Sequence, residues 1–308
     1  MRSTNITVGT AATARWADLL VNIASEPGPI ATPPKQSGQL RLRIISALVL
    51  APLGLLITWF GGWAFDLMVL LAALTMLREW TLLSEGNGGS PMLAVKTVLL
   101  AVVVGLASHS GARWAFAVLP VMAVIAALVN AARGRSPVWA GLGMLYVGVP
   151  CIAMIWLRHG MPGGGADGRI AIYWLLAVVW ATDTGAYFAG RTIGGPKLAP
   201  HISPNKTWAG LLGGMVAAAI AGTLVVEFAV VEGAMPASGW LIIALESATL
   251  AVIEQAGDLA ESAFKRRFHA KDAGTIIPGH GGVLDRLDGL LFAAPVLALG
   301  LWLWGGPA

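Results

Sequence analysis

An all-α, polytopic bundle of about nine transmembrane helices, with a cytoplasmic N-terminus, is the fold class this sequence predicts. Three observations predict it. Of 308 residues, 56% are hydrophobic and only 12% charged, about half the charge of an ordinary soluble domain, and the mean hydropathy is +0.74. Nine stretches approach the ~20 apolar residues that a helix needs to cross the hydrocarbon core: 43–60, 63–83, 92–108, 112–132, 138–157, 170–190, 207–231, 239–260 and 287–304. With the N-terminus inside, 17 of the 20 Lys and Arg residues fall in inner segments, and only Arg113, Arg158 and Arg169 fall outside, as the positive-inside rule requires.

The elements follow in order. Residues 1–39 are rich in Ser, Thr, Pro, Ala and Gly and read as a disordered tail, without the apolar core of a signal peptide. An amphipathic surface helix around Arg15–Ile23 is the alternative for part of it. Residues 40–160 read as transmembrane scaffold, because the first four spans carry few polar residues. The third span is the weakest, being short and carrying Lys96 near its start. Cys151 is the single cysteine; it can form neither an intrachain disulfide nor a zinc site and reads as a small buried apolar residue. Residues 161–308 hold the chemistry. The net charge of +4 comes from basic residues scattered between apolar runs, which argues against a nucleic-acid partner.

In the sixth span, Asp183 lies about 20 Å along the helix from Ile170, in the cytoplasmic third of the membrane. A carboxylate there needs a polar cavity and a partner. The following inner loop, GGPKLAPHISPNKTW, is stopped from being helical by its glycines and prolines. Lys197 and Lys206 are spaced to meet phosphate charge, and Ser203 and Thr207 can donate to phosphate oxygens. In the eighth span, Glu254, Asp258, Glu261 and Ser262 share one helical face. Three carboxylates on one face call for a cation, and an oxygen-only set suits Mg²⁺. In the last inner loop, Gly279, Gly281 and Gly282 surround His280 and free backbone amides for phosphate oxygens. Asp285 and Asp288 can share a face at the start of the ninth span and, with Asp258, form a metal site between two helices. His280 reads as a general base or a phosphate ligand. Asp272 orients Lys271 or joins the metal shell. Metal, amides and Lys/Arg together point to phosphoryl or nucleotidyl transfer.

From Ser262 to Asp288 the chain reads SAFKRRFHAKDAGTIIPGHGGVLDRLD. This resembles the C-terminal signature of the phosphatidate cytidylyltransferases (CDP-diacylglycerol synthases): S-x-x-K-R, then K-D-x-G, then P-x-H-G-G-x-x-D-R-x-D. DTGAYFAGRTIG, GPKLAPHISPNKTW and GDLAES agree with it, so the resemblance covers roughly residues 175–290. A minor departure is Ala273, where many members carry Ser.

The resemblance implies an Mg²⁺-dependent nucleotidyltransferase that moves CMP from CTP to phosphatidic acid in phospholipid biosynthesis, giving CDP-diacylglycerol and pyrophosphate. It implies possible help from K⁺ and an all-helical homodimer. In a bacterium it would sit in the plasma (inner) membrane, with its active site facing the cytoplasm. Asp258 and Asp285 match the metal positions. Asp183, Lys206, Glu261, Ser262, Lys265, Arg266, Lys271, Asp272, His280, Arg286 and Asp288 match other polar positions of the signature. A related enzyme using another lipid phosphate is the alternative. A CDP-alcohol phosphotransferase is disfavoured because DGLLFAAP lacks that family's Arg and later acids. A transporter is disfavoured because the acids gather at one membrane edge.

Overall fold

In the computed structural model of the chain, the described residues are 36–86, 91–161, 165–232, 239–277 and 281–305. The tail up to residue 35 and the candidate surface helix at 15–23 lie outside them. Arg41–Ala308 form one compact unit. Among the described residues there are nine helices: α1 (Gln36–Phe60), α2 (Gly62–Glu85), α3 (Pro91–Ser110), α4 (Ala112–Ala131), α5 (Pro137–His159), α6 (Gly165–Thr192), α7 (Trp208–Val231), α8 (Trp240–Arg267) and α9 (Leu284–Gly305). Between α6 and α7 stands a small antiparallel hairpin of β1 (Lys197–Ala199) and β2 (Ser203–Thr207).

Eight of the helices, α2 to α9, are long and apolar enough to cross a membrane. The first expected span, 43–60, corresponds to α1, in which Leu48–Phe60 is a shorter apolar helix among the described residues. Its first turns, QSGQLRLR, are polar. The weak third stretch is a full span, because Lys96 is buried and its charge is met by Glu85.

The sequence explains the helix ends. Gly86 closes α2 in the left-handed region (φ 73°), its N–H donating to the Leu82 carbonyl at 3.0 Å, the usual task of a C-terminal glycine. Pro137 opens α5 at the position where a missing N–H costs nothing. Pro52, Pro120, Pro150 and Pro295 lie inside helices, which bilayer helices tolerate when neighbours re-satisfy the freed carbonyls.

Two packing features position the site. α5 is the central helix, buried along Met144, Val147, Cys151, Ile152 and Ile155, and it packs on α2, α3, α4, α6 and α9. α6 and α7 pack closely through small residues. A Cβ on Gly185 would stand 2.7 Å from the Gly213 carbonyl, and one on Gly214 would stand 3.0 Å from the Thr182 carbonyl. In lipid, where apolar burial gives no drive between helices, such close van der Waals approach supplies the association. The other side of α7 presents Leu212, Val216, Ile220, Leu224 and Phe228, all exposed; this stripe faces hydrocarbon.

Candidate active site

α8 runs on to Arg267, past the 260 expected from hydropathy. This carries Asp258, Glu261, Ser262 and Lys265 up one helical face to the start of α9. The close α6–α7 pair holds the hairpin beside that face. β2 ends in Thr207, which is buried, and its hydroxyl accepts from the Gly210 N–H at 3.0 Å. Thr207 was expected to donate to phosphate. In the structure its oxygen caps α7, a role that uses a lone pair and leaves the hydroxyl hydrogen for another acceptor. The residue before it, Lys206, reaches Asp258, with Nζ 2.5 Å from Oδ2. Ser262 donates to the other oxygen of Asp258 at 3.2 Å.

A second ion pair stands beside the first. Lys265 Nζ lies 2.5 Å from Glu261 Oε2 and 2.7 Å from Asp285 Oδ1. The second oxygen of Asp285 accepts from the Ala273 and Gly282 N–H groups, both at 2.8 Å. Asp285 therefore ties Ala273 and Gly282 to the start of α9. The left-handed Gly281 (φ 86°) lets the chain turn there; a Cβ on it would come within 3.0 Å of Asp285 Oδ2.

Asp258 and Asp285 were expected to meet at one cation. Here each has its own ammonium, Lys206 and Lys265, and Asp285 has used both oxygens. The carboxylates that bear on Asp258 include Asp183, Glu254 and Asp288. Asp288 accepts from the Gly289 N–H at 3.0 Å. Asp183 faces Glu254, whose Oε2 is buried without a partner. Glu261 Oε1 is likewise buried without one. Among the described residues, no three His, Cys, Asp or Glu groups close around one point to enclose a metal by themselves. That donor set still fits Mg²⁺, which is commonly bound by one or two carboxylates while substrate phosphates and water complete its octahedron.

The other expected residues lie around this centre. Lys197 is exposed at the start of β1, and Ser203 is half-buried at the start of β2. Arg266 is exposed and donates to the Ala270 carbonyl at 3.2 Å. Lys271 and Asp272 are exposed in the loop. Arg286 is exposed, with its charge acting on Asp183. Gly281 and Gly282 flank the start of α9. His280, with Gly279, lies outside the described residues.

One acid of the centre comes from the supposed scaffold. Glu79 of α2 is fully buried, and its two oxygens accept from the Val283 and Leu284 N–H groups at 3.0 and 2.8 Å. Its neighbour Trp80 stacks on Phe264 of α8, with ring centroids 3.8 Å apart and planes 9° from parallel. The indole N–H of Trp80 donates to the Trp139 carbonyl at 2.8 Å. The sequence signal for Glu79 was an acid lying more than a turn inside an apolar span.

The chain is similar to known proteins. Residues 41–304 match the cytidylyltransferase family. A phosphatidate cytidylyltransferase of Brucella suis is 41% identical over 267 residues, covering 84% of this chain and 92% of the relative. The Rickettsia bellii phosphatidate cytidylyltransferase is 32% identical over 266 residues, covering 85% and 91%. The Bacillus subtilis enzyme of the same name is 45% identical over 130 residues, covering 42% of this chain and 46% of the relative.

Proposed function

The chain belongs to the cytidylyltransferase family, and from that premise we propose that it is a phosphatidate cytidylyltransferase, making CDP-diacylglycerol and pyrophosphate from CTP and phosphatidic acid. The observation that carries this reading is the pair of ammonium–carboxylate contacts, Lys206–Asp258 and Glu261–Lys265–Asp285, set at the membrane edge among further acids. A lipid phosphate and a nucleotide triphosphate both bring negative charge and oxygen ligands to such a place.

In the reaction, an oxygen of the lipid phosphate forms a bond to the α-phosphorus of CTP in line with the bond that breaks, and pyrophosphate leaves. The attacking phosphate is already anionic near neutral pH, so no strong general base is required. Lys206 and Lys265 supply positive charge to the phosphates, assisted by Arg266 and Arg286, and so stabilise the leaving group. Backbone amides of Gly281 and Gly282 and the Ser262 hydroxyl orient phosphate oxygens. Mg²⁺ would be held by Asp258 and Asp285, with Asp288 beside them, and would neutralise charge on the transferring phosphate. K⁺ is a candidate second cation among the remaining acids.

The site faces the cytoplasm of a bacterial plasma membrane in this reading. The bias of basic residues supports that side, and so does the place of Lys206, Lys265 and Arg286 at the same end of the bundle. The resemblance supports a homodimer. The test is one assay on purified protein in detergent, with labelled CTP and phosphatidic acid, with and without Mg²⁺. Lipid-linked CMP forming only with the metal is the expected result. Absence of product under both conditions, or product only from a different lipid phosphate, overturns the reading.

A further inference from the structure

We propose that Glu79 is a positioning residue of this site. It holds the first turn of α9, and with it Asp285 and Asp288, in register with α8. The inference rests on the functional reading above and adds a residue to it from the opposite half of the chain.

The geometry is that of an internal anion site. A wholly buried carboxylate is costly unless it is paired and hydrogen-bonded. Glu79 finds its partners at a helix N-terminus, where unsatisfied N–H groups and the positive end of the helix dipole favour an anion. Each oxygen takes one amide, Val283 at 3.0 Å and Leu284 at 2.8 Å. Two glycines make room for it. A Cβ on Gly274 would stand 2.6 Å from Glu79 Oε1, and one on Gly282 would stand 2.7 Å from both oxygens. The loop carrying Ala273 and Gly282, whose amides hold Asp285, is therefore folded around the Glu79 head group.

α2 grips α8 as well, through the stacking of Trp80 on Phe264. Adjacent residues of one helix thus bear on both helices that carry the reacting acids. Both Glu79 oxygens are turned to backbone amides, so the residue acts on the acids through α9 and not on phosphate. A carboxylate suits the place better than an amide, because both partners are donors and Gln would turn its NH₂ toward one of them.

The test compares the full-length wild type with Glu79→Gln, Gly274→Ala and the double variant Gly274→Ala/Glu79→Asp, in detergent, at a temperature where each is folded by circular dichroism. In Glu79→Gln, kcat is expected to fall about 10²-fold, the cost of misplacing reacting groups by about an ångström. KM for CTP and for lipid should move by less than about threefold. Hydrogen exchange at Val283 and Leu284 should accelerate, which is read without turnover. Gly274→Ala should reproduce part of the loss by pressing on the carboxylate. Glu79→Asp, which draws the carboxylate back by about 1.5 Å, should restore some of it.

An active Glu79→Gln with unchanged exchange overturns the proposal. So does a Gly274→Ala defect that Glu79→Asp only deepens, and this second result decides the matter if Glu79→Gln does not fold. An inactive wild type counts instead against the functional reading, and the exchange measurement then judges the grip of Glu79 on α9 alone.

Discussion

Two polar clusters stand at the same end of the helix bundle, and they are balanced differently. In the first, Glu85 at the end of α2 is met by Lys96 of α3, by Asn130 of α4 at 2.9 Å and by Arg135 at 3.4 Å. Both oxygens of the acid have donors, and cations outnumber it. In the second, Asp183, Glu254, Asp258, Glu261, Asp285 and Asp288 gather around Lys206, Lys265 and Arg286, and Glu254 and Glu261 each bury an oxygen without a partner. The first cluster satisfies both oxygens of its acid and ties α2, α3 and α4 to the turn before α5. The second sets six acids against three cations.

The largest effect that sharpens this contrast is on turnover. Asp258→Asn should lower kcat by about 10³-fold or more, roughly 4 kcal/mol of transition-state stabilisation, while the protein still expresses and folds. Lipid-linked CMP formation measures it. Asp285→Asn should lose a similar amount but also loosen the 273–282 loop, since the amides of Ala273 and Gly282 lose a carboxylate oxygen. Substantial activity in either purified variant breaks the assignment of this cluster to the chemistry.

Next comes stability. Lys265→Met leaves Glu261 and Asp285 without their shared ammonium, and stranding a buried charge costs about 3–5 kcal/mol. Lys96→Met strands Glu85 in the same way, less the share that Asn130 and Arg135 retain. Both variants should melt at lower temperature in detergent. Only Lys265→Met should also lose turnover when assayed well below its melting point. Equal loss of turnover in both would erase the distinction between the clusters.

The contrast was unevenly legible in the sequence. Hydropathy marked the helices well, because a bilayer demands long apolar runs and leaves little freedom in where they end. The acids of α8 and α9 were legible because charge inside or beside such runs is costly and therefore conspicuous. Contacts across the chain were not. Glu79 in MLREWTLLSE stands more than a turn inside its span, but nothing near it in the sequence names its partners, which lie 204 and 205 residues further on. Asp258 and Asp285 were paired as metal positions by the family resemblance. The separate ammonium partners depend on how far α8 extends and where α9 starts, and hydropathy left α8 seven residues short. The capping role of Thr207 was hidden because the strand that delivers it to α7 is only five residues long and carries a proline.

The smallest effect probes the other end of the bundle. There Arg169, in the first turns of α6, lies with its guanidinium 4.1 Å from the centre of the Trp59 ring, and Arg158 donates to the Thr58 and Trp59 carbonyls at 2.9 and 3.3 Å. These cations rest on ring faces and backbone oxygens, and His159 contacts Asp66 at 2.9 Å. Arg169→Ala should cost about 0.5–1 kcal/mol, the worth of a partly exposed cation–π contact. It should leave kcat within error, although the same helix carries Asp183 near its far end. A melting curve and a single turnover assay measure both quantities. If turnover fell with stability, strain at the outer edge would be travelling along α6 to the acids. The inner cluster would then depend on the whole length of its helices rather than on the contacts at their ends.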